Sequence, residues 1–163
     1  PVYGMEGDVP TPGDYDGDGA AEFAVFRRAT GTWFVDSDRN GGTDLAMIYG
    51  RDGDLPVAGD YDGDGATDLA VFRPSWGGWY VDTDRNGGTD LRSGLGQTGD
   101  VPVPGNHDGD GIFDFAVFRP AEARWYVDTN HRNGADLKLV YGKGGDVPLR
   151  ENGWILDAMG LTP

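Results

Sequence analysis

Cysteine is absent, so no disulfide can staple this fold and no thiolate can ligate a metal or attack a substrate. Long apolar runs are absent too: nothing approaches the ~20 consecutive apolar residues of a membrane-spanning helix. The start carries no secretory apolar core, and Pro1 stands where an initiator methionine would, as expected of a mature or excised product. Basic residues are few, 13 Lys and Arg against 28 Asp and Glu, for a formal charge of −15. Nucleic acid and anionic lipid repel such a chain, so neither nucleic-acid binding nor membrane insertion is expected. The only histidines, His107 and His131, do not recur at equivalent places. No Ser-His-Asp set, phosphate loop, zinc cluster or Asn-X-Ser/Thr sequon is recognisable, and the expectation is a protein without catalytic activity.

What the chain has in excess is glycine, 29 of 163 residues, set beside aspartate in a fixed rhythm. Gly-Asp-Tyr-Asp-Gly-Asp-Gly at 13–19 returns at 59–65, and Gly-Asn-His-Asp-Gly-Asp-Gly stands at 105–111, each copy 46 residues on. A constant period of this length means stacked or radially arranged copies of one supersecondary unit. In register, the units of a single repeat domain are 7–52, 53–98 and 99–144. Residues 1–6 read as the last strand of a blade and 145–163 as a partial closing repeat.

Each unit opens on a short segment: Val9-Pro10, Leu55-Pro56-Val57 or Val101-Pro102-Val103. An apolar run follows the Asp loop (Phe23-Ala24-Val25-Phe26, Leu69-Ala70-Val71-Phe72, Phe115-Ala116-Val117-Phe118). Apolar side chains on both faces of so short a run predict a strand covered on both sides. An aromatic strand comes next (Trp33-Phe34-Val35, Trp79-Tyr80-Val81, Trp125-Tyr126-Val127), then a last strand ending at Gly50, Gly96 and Gly142. Four short strands per unit with Gly, Asp and Pro turns describe a propeller blade. The expected fold is all-β, with 46-residue four-stranded repeats in a small propeller-like ring of about four blades, one shared by the termini. An open blade array or a β-solenoid assembling through its ends is the alternative. Gly-Trp-Ile-Leu-Asp at 153–157 echoes Gly-Trp-Tyr-Val-Asp at 78–82, which supports the shared blade. The same ends could instead join neighbouring chains.

The Asp loops carry oxygen at positions 1, 3, 5 and 9, glycine at 6 and a backbone carbonyl at 7. The candidate ligands are Asp14, Asp16, Asp18, Ala20 and Glu22; Asp60, Asp62, Asp64, Ala66 and Asp68; Asn106, Asp108, Asp110, Ile112 and Asp114. Alternate side chains of a tight curl point inward, and a hard cation such as calcium takes 6–8 such oxygens. Val25, Val71 and Val117 stand at position 12, where an EF-hand has Glu, so these loops are of another kind. A second, weaker loop repeats the spacing with Asp36, Asp38, Asn40 and Asp44, and again with Asp82, Asp84, Asn86 and Asp90. Its third copy, with Asp128, Asn130 and Asp136, is degraded at positions 5 and 6. The plain alternative for either class is an Asx-rich hairpin turn. About five or six Ca2+ ions would bring the charge of −15 into the range of ordinary soluble domains.

Trp33, Trp79 and Trp125 recur in phase and read as packing between blades, while Trp76, in a Gly-rich turn, reads as an exposed contact. Arg27, Arg73 and Arg119 recur likewise and should pair with carboxylates or cap carbonyls. Gly-Asp-Tyr-Asp-Gly-Asp-Gly-Ala-Thr-Asp-Leu-Ala-Val-Phe-Arg-Pro at 59–74 resembles the FG-GAP/VCBS-type repeat, the calcium-loop blade of integrin α-subunit propellers and many secreted bacterial proteins. The resemblance runs almost continuously over 1–149. It implies that Asp60, Asp62, Asp64, Asp68 and their counterparts hold calcium, and that the blades serve binding or adhesion. The expectation is therefore a secreted or cell-surface module in which calcium rigidifies the loops, with a glycan or protein as ligand. The alternative is a structural protomer of an extracellular filament or surface layer, self-associating through complementary terminal strands.

Overall fold

Each apolar run becomes the second strand of a four-stranded antiparallel sheet. The computed structural model describes residues 3–148, and among them it contains three such sheets and no helix. The first sheet is β1 (Asp8–Pro10), β2 (Phe23–Arg27), β3 (Thr32–Asp36) and β4 (Leu45–Ile48). The second is β5 (Leu55–Pro56), β6 (Leu69–Arg73), β7 (Gly78–Asp82) and β8 (Leu91–Ser93). The third is β9 (Val101–Pro102), β10 (Phe115–Arg119), β11 (Arg124–Asp128) and β12 (Leu137–Val140). Every sheet is a meander in chain order, made by one 46-residue unit, and no sheet closes on itself.

Period-2 geometry splits each central strand between two faces. Ala24 and Phe26 of β2, with Trp33 and Val35 of β3, form one apolar cluster with Leu69 and Val71 of β6. One unit on, Ala70, Phe72, Trp79 and Val81 cluster with Phe115 and Val117 of β10. The second sheet is thus covered on both faces, and β6 is buried throughout from Leu69 to Phe72. Phe72 and Trp79 are fully buried; transfer of side chains of this size from water is worth about 2–3 kcal/mol each. Trp33 and Trp79 also donate their indole N–H to the carbonyls of Tyr49 and Leu95 at 2.8 and 2.7 Å. Their place in the core is the one expected for phase-locked aromatics.

The turn joining the second and third strands lies against the end of the fourth. Gly31 and Gly77 hold φ of +65° and +81°, and a Cβ there would fall 2.4 and 2.1 Å from the carbonyl carbons of Gly50 and Gly96. Ala123 takes this position in the third unit, at φ +48°. There the bond from the Tyr141 N–H to the Ala123 carbonyl is 3.2 Å, against 2.8 Å for its equivalent from Tyr49 to Gly31.

A bidentate ion pair locks the first strand to the second in every sheet. Arg27 grips Asp8 with two bonds of 2.9 Å, while Arg73 grips Asp54 and Arg119 grips Asp100 with two of 2.8 Å each. The guanidiniums lie over the rings of Phe34, Tyr80 and Tyr126, 4.3–4.4 Å from their centroids. The ring excludes water from the fork, and the pair satisfies a carboxylate that would otherwise be buried alone.

The strand expected at the start would fall on residues 1–2, the repeat equivalents of Met47-Ile48 in β4; residues 3–6 share the irregular conformation of their equivalents, 49–52. Val147 and Pro148 are irregular as well, whereas Val9-Pro10 and Leu55-Pro56 are strand through pairing to Val25-Phe26 and Val71-Phe72. Residues 1–2 and 149–163, including the closing strand expected at 153–157, lie outside the described residues.

Two outcomes follow from the ion pairs. Replacing Arg73 by Leu leaves the buried Asp54 carboxylate without its partner, and thermal unfolding should record a loss of about 3 kcal/mol or more. The Arg27 guanidinium holds the Asp8 carboxyl below its usual range. That contribution is full above the unfolded-state pKa of about 4 and is lost as pH falls through the lower folded value. Between pH 4 and 2, Asp8→Asn should therefore lose less stability to acid than the parent in urea titrations.

Candidate metal centres

In a meander, the first and third connections emerge at the same end of the sheet. The first is the strong Asp loop and the third the weak one, so both acidic loops of a sheet lie at one end of it. The strong loop is pinched shut by an isolated bridge, Gly13 to Glu22, Gly59 to Asp68 and Gly105 to Asp114. The weak loop is closed by an N–H from Asp44, Asp90 or Asp136 to the carbonyl of Val35, Val81 or Val127, at 2.8 Å.

The curl is held by its own carboxylates. In the first loop Asp14 accepts N–H bonds from Gly17, Asp18 and Gly19, Asp16 accepts from Asp18, and Asp18 from Ala20. Asp60, Asp62 and Asp64 repeat this scheme in the second loop. Asn106, Asp108 and Asp110 follow it in the third. Asp36 and Asp82 anchor the weak loops similarly, and Asp38 and Asp84 bond the side chains of Asn40 and Asn86.

Among the described residues four groups of acids converge, each offering ligand oxygens within 4.8 Å of one another. They are Asp14, Asp16, Asp18 and Glu22; Asp60, Asp62 and Asp68; Asp36, Asp38 and Asp44; and Asp82, Asp84 and Asp90. Asp64 stands outside the second group, and Asp108, Asp110 and Asp114 do not meet to that degree. In the degraded loop Asp136 turns inward to bond Thr129 and Asn130.

Position 9 distinguishes the strong loops. Asp68 is buried, its Oδ2 accepts the Tyr61 N–H at 2.8 Å, and its Oδ1 has no partner. Asp114 is alike, with Oδ2 on the His107 N–H and Oδ1 without a partner. Burial, with Asp62, Asp60 and Asp64 adding repulsion, pushes the Asp68 carboxyl up to about 7; burial raises Asp114 and Asp82 as well. Such a group favours the fold only while protonated, an advantage lost as pH rises from about 4 towards the folded value. A divalent cation at the orphaned oxygen relieves that penalty, so the donor set fits a hard ion.

In the first loop, an arginine already does so. Glu22 is one methylene longer than Asp68, and its Oε1 meets the Arg39 guanidinium at 2.6 Å. The same guanidinium reaches the Ala20 carbonyl at 3.0 Å and Asp18 Oδ1 at 3.3 Å. Arg39 thereby touches three of the five ligands expected for a metal. Its equivalents, Arg85 and His131, reach only the carbonyls of Thr67 and Phe113, at 3.2 and 2.9 Å. All three sit at positive φ, 54–58°, in the weak loop. A basic side chain of the weak loop thus latches the strong loop beside it. The sign of this in the sequence was a basic residue recurring at 39, 85 and 131, together with Glu in place of Asp at position 22.

No family model matches the chain, and no curated protein matches it.

The latch predicts unequal sites. In calcium titrations followed by calorimetry, Asp68→Ala should remove the tightest binding step, whereas Glu22→Ala should leave it. Arg39→Ala frees the first loop and should tighten its binding roughly tenfold, the scale of a charged hydrogen bond.

Proposed function

We propose that this chain is a calcium-binding β-repeat module of the extracellular space, acting in binding or adhesion rather than catalysis. The supporting observation is the buried, partnerless Asp68 Oδ1 within the Asp60, Asp62 and Asp68 group, repeated as an orphaned oxygen at Asp114. All-oxygen donors on a glycine-rich curl suit calcium, which accepts irregular coordination of 6–8 oxygens, better than magnesium, which requires a near-regular octahedron. Millimolar extracellular calcium fills sites of modest affinity, which is the reason for placing the module outside the cell. In this reading the sheets are consecutive blades of a propeller-like ring, and each ion fixes a junction that bare carboxylates would push apart.

Trp76 favours a ligand surface on the edge opposite the acidic loops. It lies in the β6–β7 turn, is 48% exposed and meets Tyr80 edge-on at 6.1 Å, a platform suited to a sugar ring or an apolar protein side chain. The second reading, a structural protomer joined end to end, is favoured by Phe23, which is 60% exposed on the first sheet.

Thermal unfolding in chelator and in millimolar calcium tests the metal reading. Calcium should raise the melting temperature by about 10 °C or more, since an ion bound far above its Kd adds several kcal/mol to a domain of this size. Asp62→Ala should cut that rise. A melting temperature unmoved by calcium would overturn the proposal.

A further inference from the structure

We infer that the open face of the third sheet binds the open face of the first sheet of a second copy of this chain, head to tail. This goes beyond the calcium reading and does not rest on it. The template is an interface that the chain makes twice. Between the first and second sheets, the Thr67 N–H donates to the Asp14 carbonyl at 2.6 Å, Ala66 lies over Gly17, and Leu69 and Val71 enter the Phe26, Trp33 and Val35 cluster. Between the second and third, the Phe113 N–H donates to the Asp60 carbonyl at 2.7 Å, Ile112 lies over Gly63, and Phe115 and Val117 join Phe72, Trp79 and Val81.

Among the described residues, both halves of a third such interface are present: the third-sheet half is open, and on the first-sheet half residues 3–6 lie against Val25 but leave Phe23 exposed. One unit back, Ala20, Ala21 and Phe23 occupy the places of Ala66, Thr67 and Leu69. Phe23 is 60% exposed, whereas Leu69 and Phe115, its equivalents, are fully buried. One unit forward, the Asn106 carbonyl, Gly109, Phe118 and Trp125 occupy the places of Asp60, Gly63, Phe72 and Trp79. Trp125 is only partly buried where Trp33 and Trp79 are fully so, and an open cleft of about 450 Å³ lies against Phe118 and Trp125. The surface that matches this cleft in repeat register is one the chain itself carries.

Two copies joined at both such junctions would place six of the described sheets in one row, within the about four to eight that closed rings of four-stranded blades hold. One segment must yield. Residues 3–6 are the repeat equivalent of 141–144, and Tyr3 bonds Thr43 at 3.5 Å as Tyr49 bonds Thr89 at 3.1 Å. In the pair, Tyr141 of the second copy, 77% exposed in the single chain, takes Thr43 and the longer Tyr3 bond gives way.

The chain has no cysteine, so a disulfide can report the contact cleanly. A Cβ built on Gly13 lies 3.1 Å from that of Thr67, so a disulfide there needs the two backbones to part by only a few tenths of an ångström. Gly105 and Ala21 are the same two positions across the inferred interface. Under mild oxidation, the full-length Ala21→Cys, Gly105→Cys double variant should link copies, as should a mixture of the two single variants. Neither single variant alone should do so. In sedimentation the parent should run as a dimer. Phe23→Glu, at an exposed site that leaves the single chain folded, should weaken association roughly tenfold or more, while Tyr3→Ala should strengthen it. A monomer at high micromolar concentration, with residues 149–163 or nothing covering the cleft, would overturn the inference. So would oligomers without the 21–105 link, or weaker association in Tyr3→Ala.

Discussion

A strand with apolar side chains on both faces cannot belong to a sheet that stands alone, and that constraint orders the rest of this protein. Leu69, Ala70, Val71 and Phe72 fill both sides of β6, so the second sheet is stable only between two neighbours. The neighbours are copies of itself, displaced by one period, and the same two surfaces meet at each junction. Nearest-neighbour packing of this sort makes stability a property of the row rather than of any sheet. Among the described residues it also leaves apolar side chains exposed on the outer face of the first sheet, at Phe23, and a cleft beside Phe118 and Trp125 of the third.

Electrostatics follows from the same repetition. Because each unit is a meander, its two acidic connections fall on one edge, and stacking the units sets those edges side by side. The arginines that could offset this charge are mostly used elsewhere: Arg27, Arg73 and Arg119 are committed to Asp8, Asp54 and Asp100. Among the described residues, Arg39 is the arginine that bonds strong-loop carboxylates, Asp18 and Glu22, because the longer Glu22 reaches it. Where position 9 is the shorter Asp, as at Asp68 and Asp114, an oxygen is left buried without a proton donor. The loops therefore look alike in spacing and differ in how far the chain itself satisfies their oxygens.

Much of this was legible in the chain before folding was considered. The 46-residue period located the sheets, and the Asp-Gly spacing located both loop classes. Apolar runs marked the second strands because period-2 alternation is a local property. Other features were not legible, because they depend on which residues meet across space. The partner of each repeated arginine is 19 residues away, and the position-9 oxygens are orphaned only once burial is known. The third strong loop reads as well as the first two, yet its acids do not converge, and Asn106 at its head lowers the charge that would draw them round an ion.

Sequence alone determined the repeat, its strands and the type of oxygen each loop can offer, since these are set by residue identity and spacing within one unit. Tertiary structure decided which of those oxygens are satisfied and which sheet faces are covered. The reason is physical: burial and hydrogen bonding are decided between units. Glu22 and Asp68 differ by one methylene in the sequence, and only the approach of Arg39 makes that difference matter.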